Sequence, residues 1–450
     1  MHSGDVYLFL VAVAFLVLGI VLGVRVFAAT IGVRLTPIFD LPAATGCKCA
    51  GATATSLRVS PCSNGHPSWP PDGILMYVRH ALTLSLLTLI FSPAVFAQTS
   101  SPSNTPINAA EQSAVIAALG QQLKSQYVFP DVAAETAAAL SAKAAHDDYR
   151  DANTTTAFAK ALSTDLRTIG NDKHLAVKFA PDLSPPPQND DKSGDDKDAT
   201  AKEMAEMIAQ MRSASARESY GINRVQLLPG DVSYIDLRNF GHPEIVGAAY
   251  DAAMSLIAGT KALVLDLRQN NGGEPDGVAY LISHFFDVGD ARHLNDFYVR
   301  ADSSTHQFWT VPSAIPRFAG PIYVLTSQHT GSGAEECAYD LQTQKRATLV
   351  GETTVGAANP GGWMPLGHGF VAFIPVARAI NPITQTNWEH VGVKPDVAVP
   401  ASSAMKTAYV TILNDLLKKS KDPGEQAGLK DILASVQSGK FQLPAYYPRH

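Results

Sequence analysis

A serine between two glycines stands where a predicted strand gives way to a predicted helix. The stretch HTGSGAEECAYDL covers residues 329–341, and its serine is Ser332. Ser332-x-x-Glu335 fits a capping box, a common way to satisfy the first free amides of a helix. The flanking glycines also permit unusual backbone angles and leave room for a substrate, as a serine nucleophile requires. The motif alone leaves both interpretations open: a helix cap, or a nucleophile followed by an oxyanion donor, the amide of Gly333.

A second candidate feature is a paired-glycine turn at the end of a predicted buried strand. The stretch KALVLDLRQNNGGEPDG at 261–277 turns at Gly272 and Gly273. Taken alone, this is most simply a connection between a strand and a helix, and neither common phosphate-loop pattern fits it. Its backbone amides could also supply a second oxyanion donor, provided that folding brings the turn beside Ser332.

The elements that would position these residues alternate between strands and helices. The predicted strands cover residues 232–237, 261–267, 322–327, 347–352 and 370–380, and the predicted helices between them cover 243–258, 276–286 and 333–343. This alternation predicts an α/β core.

Helical patterns flank the predicted core on both sides. Ala-rich helical spacing runs over 108–145, and a further helix is predicted at 153–169, capped at Asn153 and followed by a short strand that carries His174. A Pro- and Asp-rich linker at 181–200, an exposed helix at 201–214 and two surface helices within 401–436 complete the prediction.

The beginning of the chain contains two apolar segments that predict export. Residues 6–24 are apolar and long enough for a membrane-spanning helix. After Met76, a basic start, an apolar stretch and a small-residue site ending at Ala97 fit a secretory signal. If this is the signal, Met76 is the true start of the protein and residues 1–75 are a doubtful leader. The alternative is that residues 1–75 are a membrane anchor. Both interpretations predict a periplasmic or secreted protein, free or anchored to a membrane.

Composition excludes some classes of function. Hydrophobic residues make up 46% of the 450-residue chain and charged residues 17%, as in an ordinary globular protein. The net charge of −6, without a basic stripe, argues against a nucleic-acid partner. Cys337 is the only cysteine after the predicted leader, so no internal disulfide is expected. No set of residues has the spacing of a metal site, and we predict neither a metal nor a cofactor.

Several motifs together resemble the tail-specific (C-terminal processing) serine proteases. These are LVLDLRQNNGG, LTSQHTGSGAEECAYDLQ and RATLVGETTVGAANPGG, in that order. Three further pieces are similar to the branch that contains interphotoreceptor retinoid-binding protein and the tricorn protease core: YVFPDV, NDKHLAVKF and NPITQTNWEHVGVKPDV. The likeness runs from about residue 108 to 400. It implies a crotonase-like (ββα) α/β core, Ser332 as nucleophile, and an oxyanion hole from Gly333 with Gly272 or Gly273.

The catalytic base implied by the resemblance differs between the branches of the family. Bacterial members use a lysine, but Ala357 occupies that place here, and the nearby Lys345 would have to cross a strand to reach the serine. The tricorn-like branch implies His174 as the base and Glu389 as the carboxylate that orients it. That branch has a serine directly before the histidine, whereas this chain has Lys173.

The residues alone do not select this base. His329, three residues before Ser332, and His368 are rival bases, and Glu389 could equally be a surface carboxylate beside Trp388.

The sequence patterns and the resemblance together predict a domain organisation. The predicted segments are a leader or anchor (1–75), a signal peptide (76–97), a helical domain ending in the His174 strand (108–180), a charged linker and helix (181–215), the protease core (216–400) and a C-terminal helical tail (401–450). The stretch before residue 232 lacks the strands that a peptide-binding PDZ domain would need.

The resulting prediction is a serine-type peptidase that hydrolyses extracytoplasmic proteins or peptides by a Ser-His-(Glu) mechanism. The alternative is a non-catalytic carrier of retinoid-like or fatty-acid-like ligands on the same fold. A scaffold that binds a partner through the C-terminal helices is a third, less supported hypothesis.

Overall fold

The computed structural model of the chain describes residues 104–181 and 197–447. The predicted leader (1–75), the predicted signal peptide (76–97) and the candidate anchor at 6–24 lie outside the described residues, as does most of the predicted linker. Within the described ranges, no helix combines the length and apolar character needed to cross a membrane.

The described elements follow one another along the chain. The helices are α1 (Ala109–Gln126), α2 (Pro130–Ala145), α3 (Thr155–Gly170), α4 (Lys197–Arg217), α5 (Pro243–Ile257), α6 (Pro275–Ser283), α7 (Gly333–Thr343), α8 (Ala401–Lys419) and α9 (Pro423–Gln437). The strands are β1 (Ala176–Phe179), β2 (Ile222–Leu228), β3 (Val232–Leu237), β4 (Ala262–Asp266), β5 (His293–Val299), β6 (Thr305–Trp309), β7 (Ile322–Thr326), β8 (Ala347–Gly351), β9 (Gly361–Gly367), β10 (Phe370–Pro375), β11 (Ala377–Ile380) and β12 (Val397–Ala398).

The largest sheet has six strands in the order β12-β8-β7-β4-β3-β2. β2 pairs antiparallel with β3, and the remaining pairs are parallel. The central strands are short apolar runs, as expected where helices cover both faces of a parallel sheet. Two strands and a helix begin this unit and strand–helix pairs continue it, which confirms the predicted ββα-type α/β core with helices before and after it.

Helices bury both faces of the six-stranded sheet. Leu263 and Leu265 of β4 face α5, α6 and α7 in the main core. Ala262 and Val264, the alternate residues, face α8 and α9. Since a fully buried leucine contributes about 2 kcal/mol, burial on both faces stabilises the sheet between two layers of helices.

The sequence analysis predicted two surface helices at the C-terminus, and this is wrong for α8, which is part of the core, whereas α9 buries only Leu429 and Val436. Met405, Tyr409 and Ile412 of α8 are almost fully buried against the sheet. An Ala-rich helix with a moderate apolar stripe looks like a surface helix in sequence. Its burial depends on the sheet face that it covers.

The helical region before the core is built on a second sheet, β1-β10-β9. α1, α2 and α3 pack on this sheet, and the rings of Phe158 and Phe370 meet edge to face at 5.7 Å. The predicted cap Asn153 is wrong: Thr154 caps α3 through the amide of Ala157, 3.4 Å away. The Asn153 carbonyl instead accepts the Ile107 amide at 3.0 Å, so this residue lies before the helix.

The predicted strand at 370–380 is two strands that belong to different sheets. β10 lies between β1 and β9, whereas β11 pairs with β5 in a third sheet, β11-β5-β6. The break falls at Val376, whose amide donates to the carbonyl of Pro360 (3.0 Å). An unbroken apolar run does not show that its halves take different partners. β2, β5, β6 and β9 were not predicted, since Gly, Pro and polar residues interrupt their patterns.

Candidate active site

The loops that follow β4, β7 and β8 meet at one edge of the six-stranded sheet. In parallel sheets, ligands bind outside the carboxyl ends of the strands. Ser332 lies here, at the start of α7, with φ 50° and ψ −124°. This left-handed backbone is costly for a residue that has a side chain, and such strain is concentrated at functional sites.

The predicted capping box at Ser332 is present. The Glu335 carboxylate accepts the Ser332 amide at 2.9 Å, and the Glu335 amide donates to the Ser332 carbonyl at 2.8 Å. Apart from the Glu335 amide of this capping box, no group among the residues that the structure describes forms a hydrogen bond with the Ser332 hydroxyl. Ser332 is also only partly buried. The cap and an accessible hydroxyl therefore coexist, and one does not exclude the other.

The paired-glycine turn lies directly against this serine. A Cβ added at Gly272 would stand 2.7 Å from the Cβ of Ser332 and 2.7 Å from the amide of Gly333. A Cβ added at Gly273 would stand 2.0 Å from the carbonyl oxygen of Phe240. Both glycines also have positive φ, 107° and 135°. The turn can approach the serine this closely only because neither residue has a side chain.

The two glycines differ in what their amides bind. The Gly272 amide donates to the Asn270 side chain at 2.8 Å. Within the described residues, the amides of Gly273 and Gly333 have no acceptor. A Cβ at Gly333 would be 3.2 Å from the Gly273 nitrogen, so the two free donors are neighbours. Of the two candidates that the sequence left open, Gly273 is the one whose amide is available.

Glu335 holds the serine turn against the loop 354–359, which we call the bridging loop. The side chain is fully buried. Besides the Ser332 amide, it accepts the Thr354 hydroxyl at 2.5 Å and the amides of Gly356 and Ala357 at 2.5 and 3.0 Å. Burial raises the pKa of Glu335, and these four donors oppose that rise. The carboxylate therefore fixes the serine turn to the bridging loop.

Glu389 binds the next part of the bridging loop. One oxygen accepts the amides of Ala358 and Asn359, at 2.6 and 3.2 Å. The side chain is only 7% exposed, so the surface-carboxylate interpretation is wrong. Its other oxygen has no hydrogen bond within the described residues and lies 3.6 Å from Nδ1 of His390. Burial, and next the charge of Asp172, raise the pKa of Glu389 to about 7.

His174 lies just before β1, at the end of the sheet where β9 begins. Its ring stacks on Phe373 of β10, with centroids 5.7 Å apart. Lys173 donates from Nζ to the carbonyl of Val355, whose amide donates to the Thr330 carbonyl at 3.0 Å. The bridging loop therefore contacts the residue before His174 and a residue two before the serine.

Burial lowers the pKa of His174, although the charge of Asp172 opposes this. A histidine with a lowered pKa is neutral at pH 7, which is the state that a base needs.

Two of the three rival bases, Lys345 and His368, lie away from the serine turn, and the third, His329, precedes it by three residues. Lys345 follows the C-terminal end of α7, so the eleven-residue helix, about 16 Å long, separates it from the serine. His368 lies in the β9–β10 turn, at the far end of that hairpin, 3.9 Å from Glu111. His329 is exposed. Lys173, in place of the serine of the tricorn-like branch, binds the bridging loop instead.

Sequence reasoning missed two functional candidates. Asp172 is buried beside His174, and Glu335 was identified only as a cap. The spacing Asp-x-His could have indicated the first. The second could not be found, because three of its four donors come from residues 354–357. In the described part of the chain, no group of three or more His, Cys, Asp or Glu residues is arranged to hold a metal ion.

Comparison with known families gives two adjoining matches. Residues 231–399 match the profile described as "Peptidase family S41", and residues 109–223 match "N-terminal domain of Peptidase_S41 in eukaryotic IRBP". Together the matches cover more than half of the chain.

Curated relatives match over shorter stretches. The chain is 31% identical over 205 residues to "Carboxyl-terminal-processing peptidase 2, chloroplastic" of Arabidopsis thaliana, which covers 41% of this chain and 37% of that protein. It is 28% identical over 179 residues to "Carboxy-terminal-processing protease" of Bartonella bacilliformis, and this match covers 38% of this chain and 39% of that protein. The chain spans 30% to 39% of the length of the curated relatives that it matches.

Solved structures give remote similarities. One is titled "Photosystem II D1 C-terminal processing protease" and has a TM-score of 0.39 at 18% identity, covering 64% of this chain and 93% of that one. Another, the tricorn protease, has a TM-score of 0.26 at 18% identity, and the match covers 50% of this chain and 19% of that one. Because the peptidase profile and the profile of its N-terminal domain match consecutive parts of one chain, this chain belongs to peptidase family S41.

Proposed function

We propose that this chain is a serine peptidase in which Ser332 attacks a peptide carbonyl and His174 accepts the serine proton. One observation supports this most directly: a serine with positive φ packs against a glycine turn, and two unbonded amides, those of Gly273 and Gly333, stand beside it. Two amides aimed at one position are what a developing oxyanion requires.

The proposed reaction proceeds through an acyl-enzyme. His174 removes the proton from the Ser332 hydroxyl as its oxygen forms a bond to the carbonyl carbon. The amides of Gly273 and Gly333 stabilise the resulting oxyanion. The imidazolium then protonates the leaving nitrogen, the C–N bond breaks, and the serine ester remains. A water molecule, deprotonated by the same imidazole, attacks the ester and releases the new carboxyl group.

Glu389 is the proposed carboxylate behind the base. Its unbonded oxygen, 93% of the side chain being shielded from solvent, is available to a histidine N–H. The Ala358 and Asn359 amides hold the other oxygen and so orient the group. Peptide or protein chains are the proposed substrates. An extracytoplasmic location, in the periplasm or outside the cell, is proposed with them on the basis of the apolar N-terminal segments.

The experiment that tests the activity uses a fluorophosphonate probe, which forms a bond only with activated serines. The full-length protein should be labelled, and Ser332→Ala should abolish labelling. Ser303 is a matched control, since it is an exposed turn serine with a similar positive φ of 57°. Ser303→Ala should be labelled like the wild type. Labelling of the Ser332 variant at the wild-type rate would refute the assignment of the nucleophile.

The carrier function remains a second candidate because of the N-terminal match at residues 109–223. A carrier would not react with the probe but would bind a fluorescent fatty acid or retinoid saturably. The same protein preparation can be tested in both assays. Absence of labelling together with saturable ligand binding would favour the carrier and refute the peptidase.

A further inference from the structure

A carboxylate that the proposed mechanism does not use lies beside the candidate base. Asp172 is 1% exposed. Its Oδ1 accepts the backbone amide of His174 at 2.9 Å and stands 4.0 Å from Nδ1 of the same ring. Nδ1 is buried and has no hydrogen-bond partner among the described residues. The carboxylate therefore faces the nitrogen that must carry a proton if Nε2 is to act as the base.

Tyr127 fixes this carboxylate from the other side. Its hydroxyl donates to Oδ2 of Asp172 at 3.0 Å, and the tyrosine is itself 2% exposed. The Tyr127 carbonyl accepts Nη1 of Arg300 at 2.6 Å, so the main chain at this point is also held. Both oxygens of Asp172 thus have fixed donors, and the group cannot turn away from the ring without losing them.

The His174 ring is restrained from its face as well. Phe373 stacks on it with an interplanar angle of 30°. The neighbouring Lys173 directs its ammonium to the Val355 carbonyl, so this charge is engaged elsewhere. Asp172 is the titratable group that faces the ring, Tyr127 and Glu389 interact with Asp172 in turn, and Lys173 precedes the histidine in the chain.

We propose that Asp172, held by Tyr127, is a positioning residue that orients the His174 ring and stabilises the imidazolium formed during the reaction. This deepens the proposed function and rests on it. The two carboxylates then have different roles, because Glu389, with a pKa of about 7, is only partly ionised at neutral pH. The effect of Asp172 on the histidine pKa has the required upward direction.

The expected effect follows from the separation of the two groups. A carboxylate within about 4–6 Å of a histidine raises the pKa of its ring by about 1–3. Loss of that charge should therefore make the base weaker and reduce the rate of serine labelling about 10- to 100-fold. The pH at which labelling reaches half its maximum should fall by about one pH unit or more.

Asp172→Asn is the test, and the chain offers a matched control. Asp165 lies in the same helical region and is also bound by a tyrosine, since the Tyr149 hydroxyl donates to its Oδ2 at 2.7 Å, while Lys143 pairs with its Oδ1 at 2.7 Å. Among the described residues, its recorded hydrogen-bond and ion-pair partners are Tyr149 and Lys143, and not His174. Asp165→Asn thus removes a tyrosine-bound carboxylate without touching the candidate base. Both variants are made in the full-length protein, and fluorophosphonate labelling rates are measured over about pH 5 to 9, a range that spans the ordinary histidine pKa.

A second readout does not depend on activity. In protein labelled with ¹⁵N-histidine, the ring nitrogen chemical shifts report the tautomer and pKa of His174, whose signals are those lost in His174→Ala. Asp172→Asn should lower this pKa and change the tautomer ratio, while Asp165→Asn should leave both unchanged. An unchanged pKa and labelling rate in Asp172→Asn would overturn the proposal, as would an equal loss in Asp165→Asn.

The two readouts separate the proposal from the function on which it rests. If the wild type is not labelled but Asp172→Asn lowers the histidine pKa, the peptidase activity fails and the pairing stands. If Asp172→Asn does not fold, Tyr127→Phe replaces it, with Tyr149→Phe as its control. A smaller loss in the same direction is expected for Tyr127→Phe, and no loss would overturn the proposal.

Discussion

Two adjacent glutamates on α7 should respond in opposite ways to the same substitution. Glu335 and Glu336 are both almost fully excluded from solvent. Glu335 accepts four hydrogen bonds, whereas Glu336 accepts one, from Asn295 at 3.2 Å. We expect Glu335→Gln to destabilise the fold and Glu336→Gln to stabilise it above pH 7.

The cost of Glu335→Gln follows from the geometry of its four donors. The amide oxygen of glutamine can replace the carboxylate oxygen that accepts Ser332 and Ala357. Its NH₂ group then faces the Gly356 amide, and two donors meet with no acceptor between them. The Thr354 hydroxyl can rotate and accept, but the backbone amide cannot. A buried donor left without an acceptor costs about 1–3 kcal/mol, and hydrogen bonds to a charged group are worth more than those to a neutral one. We therefore expect a loss of about 3 kcal/mol.

The gain from Glu336→Gln follows from the raised pKa of the glutamate. Burial, together with the charge of Asp276, raises the pKa of Glu336, and burial, together with the charge of Glu336, raises the pKa of Asp340 one turn later. A raised folded-state pKa means that stability is present below the unfolded pKa, about 4.3, and is lost as pH rises through the folded value. Glutamine avoids this loss and can keep the bond to Asn295. At pH 8, the loss is about 1.4 kcal/mol for every tenfold weakening of the acid on folding.

Urea unfolding at pH 4.5 and pH 8 measures both effects. Glu335→Gln should unfold at lower urea at both pH values and label more slowly with the fluorophosphonate, because the nucleophile turn loses its anchor. Glu336→Gln should resist more urea than wild type at pH 8 and differ little at pH 4.5. Equal changes of the same sign in the two variants would refute the assigned hydrogen bonds, as would an unchanged midpoint for Glu335→Gln.

Three further predictions concern the glycine turn and the two groups behind the nucleophile. Gly273→Ala should abolish labelling and reduce stability, because its Cβ would stand 2.0 Å from the Phe240 carbonyl; Gly289→Ala, also at positive φ but with no atom within 4 Å of the new Cβ, is its control in the same melts. Since burial lowers the pKa of His174, the labelling rate should reach half its maximum below pH 6.5, and a midpoint above pH 7 would contradict this. Glu389→Gln should raise stability at pH 8 by up to about 3 kcal/mol, but not at pH 4.5, because the folded-state pKa of Glu389 is about 7. The same variant should be labelled more slowly. Unfolding curves that are unchanged at pH 8 would refute the raised pKa.

The serine turn and the glycine turn could be predicted from sequence because each is a local motif. Ser332 has its glycines and its capping glutamate within three residues, and the order of strands and helices around it indicates the parallel sheet. Parallel strands bring their carboxyl ends together, so the meeting of Ser332 with Gly272 and Gly273 follows from topology. Which glycine offers a free amide does not, since that depends on the side chain of Asn270.

The parts that could not be predicted depend on contacts between distant segments. Tyr127 and Asp172 are 45 residues apart, and their hydrogen bond exists only because α1 and the segment before β1 pack on the same sheet. Likewise, nothing in the stretch 370–380 shows that its two halves join different sheets. The resemblance to a family could indicate His174 among many histidines, but periodicity and spacing could not.

The bridging loop of this chain contains neither a lysine nor a histidine. In the tail-specific proteases that this sequence resembles, the lysine occupies the position of Ala357. Here the amide of Ala357 and that of Gly356 bind the carboxylate of Glu335, and the next two amides bind Glu389. The loop has no base of its own, and its backbone instead holds two carboxylates in place.

This arrangement makes the proposed site depend on the docking of the helical region against the sheet. The nucleophile and the oxyanion donors come from the loops after β4 and β7, whereas the base and Asp172 come from the segment between α3 and β1. Lys173 joins the two through the Val355 carbonyl. Because this link is exposed, changes at this contact should alter the rate of labelling before they alter global stability.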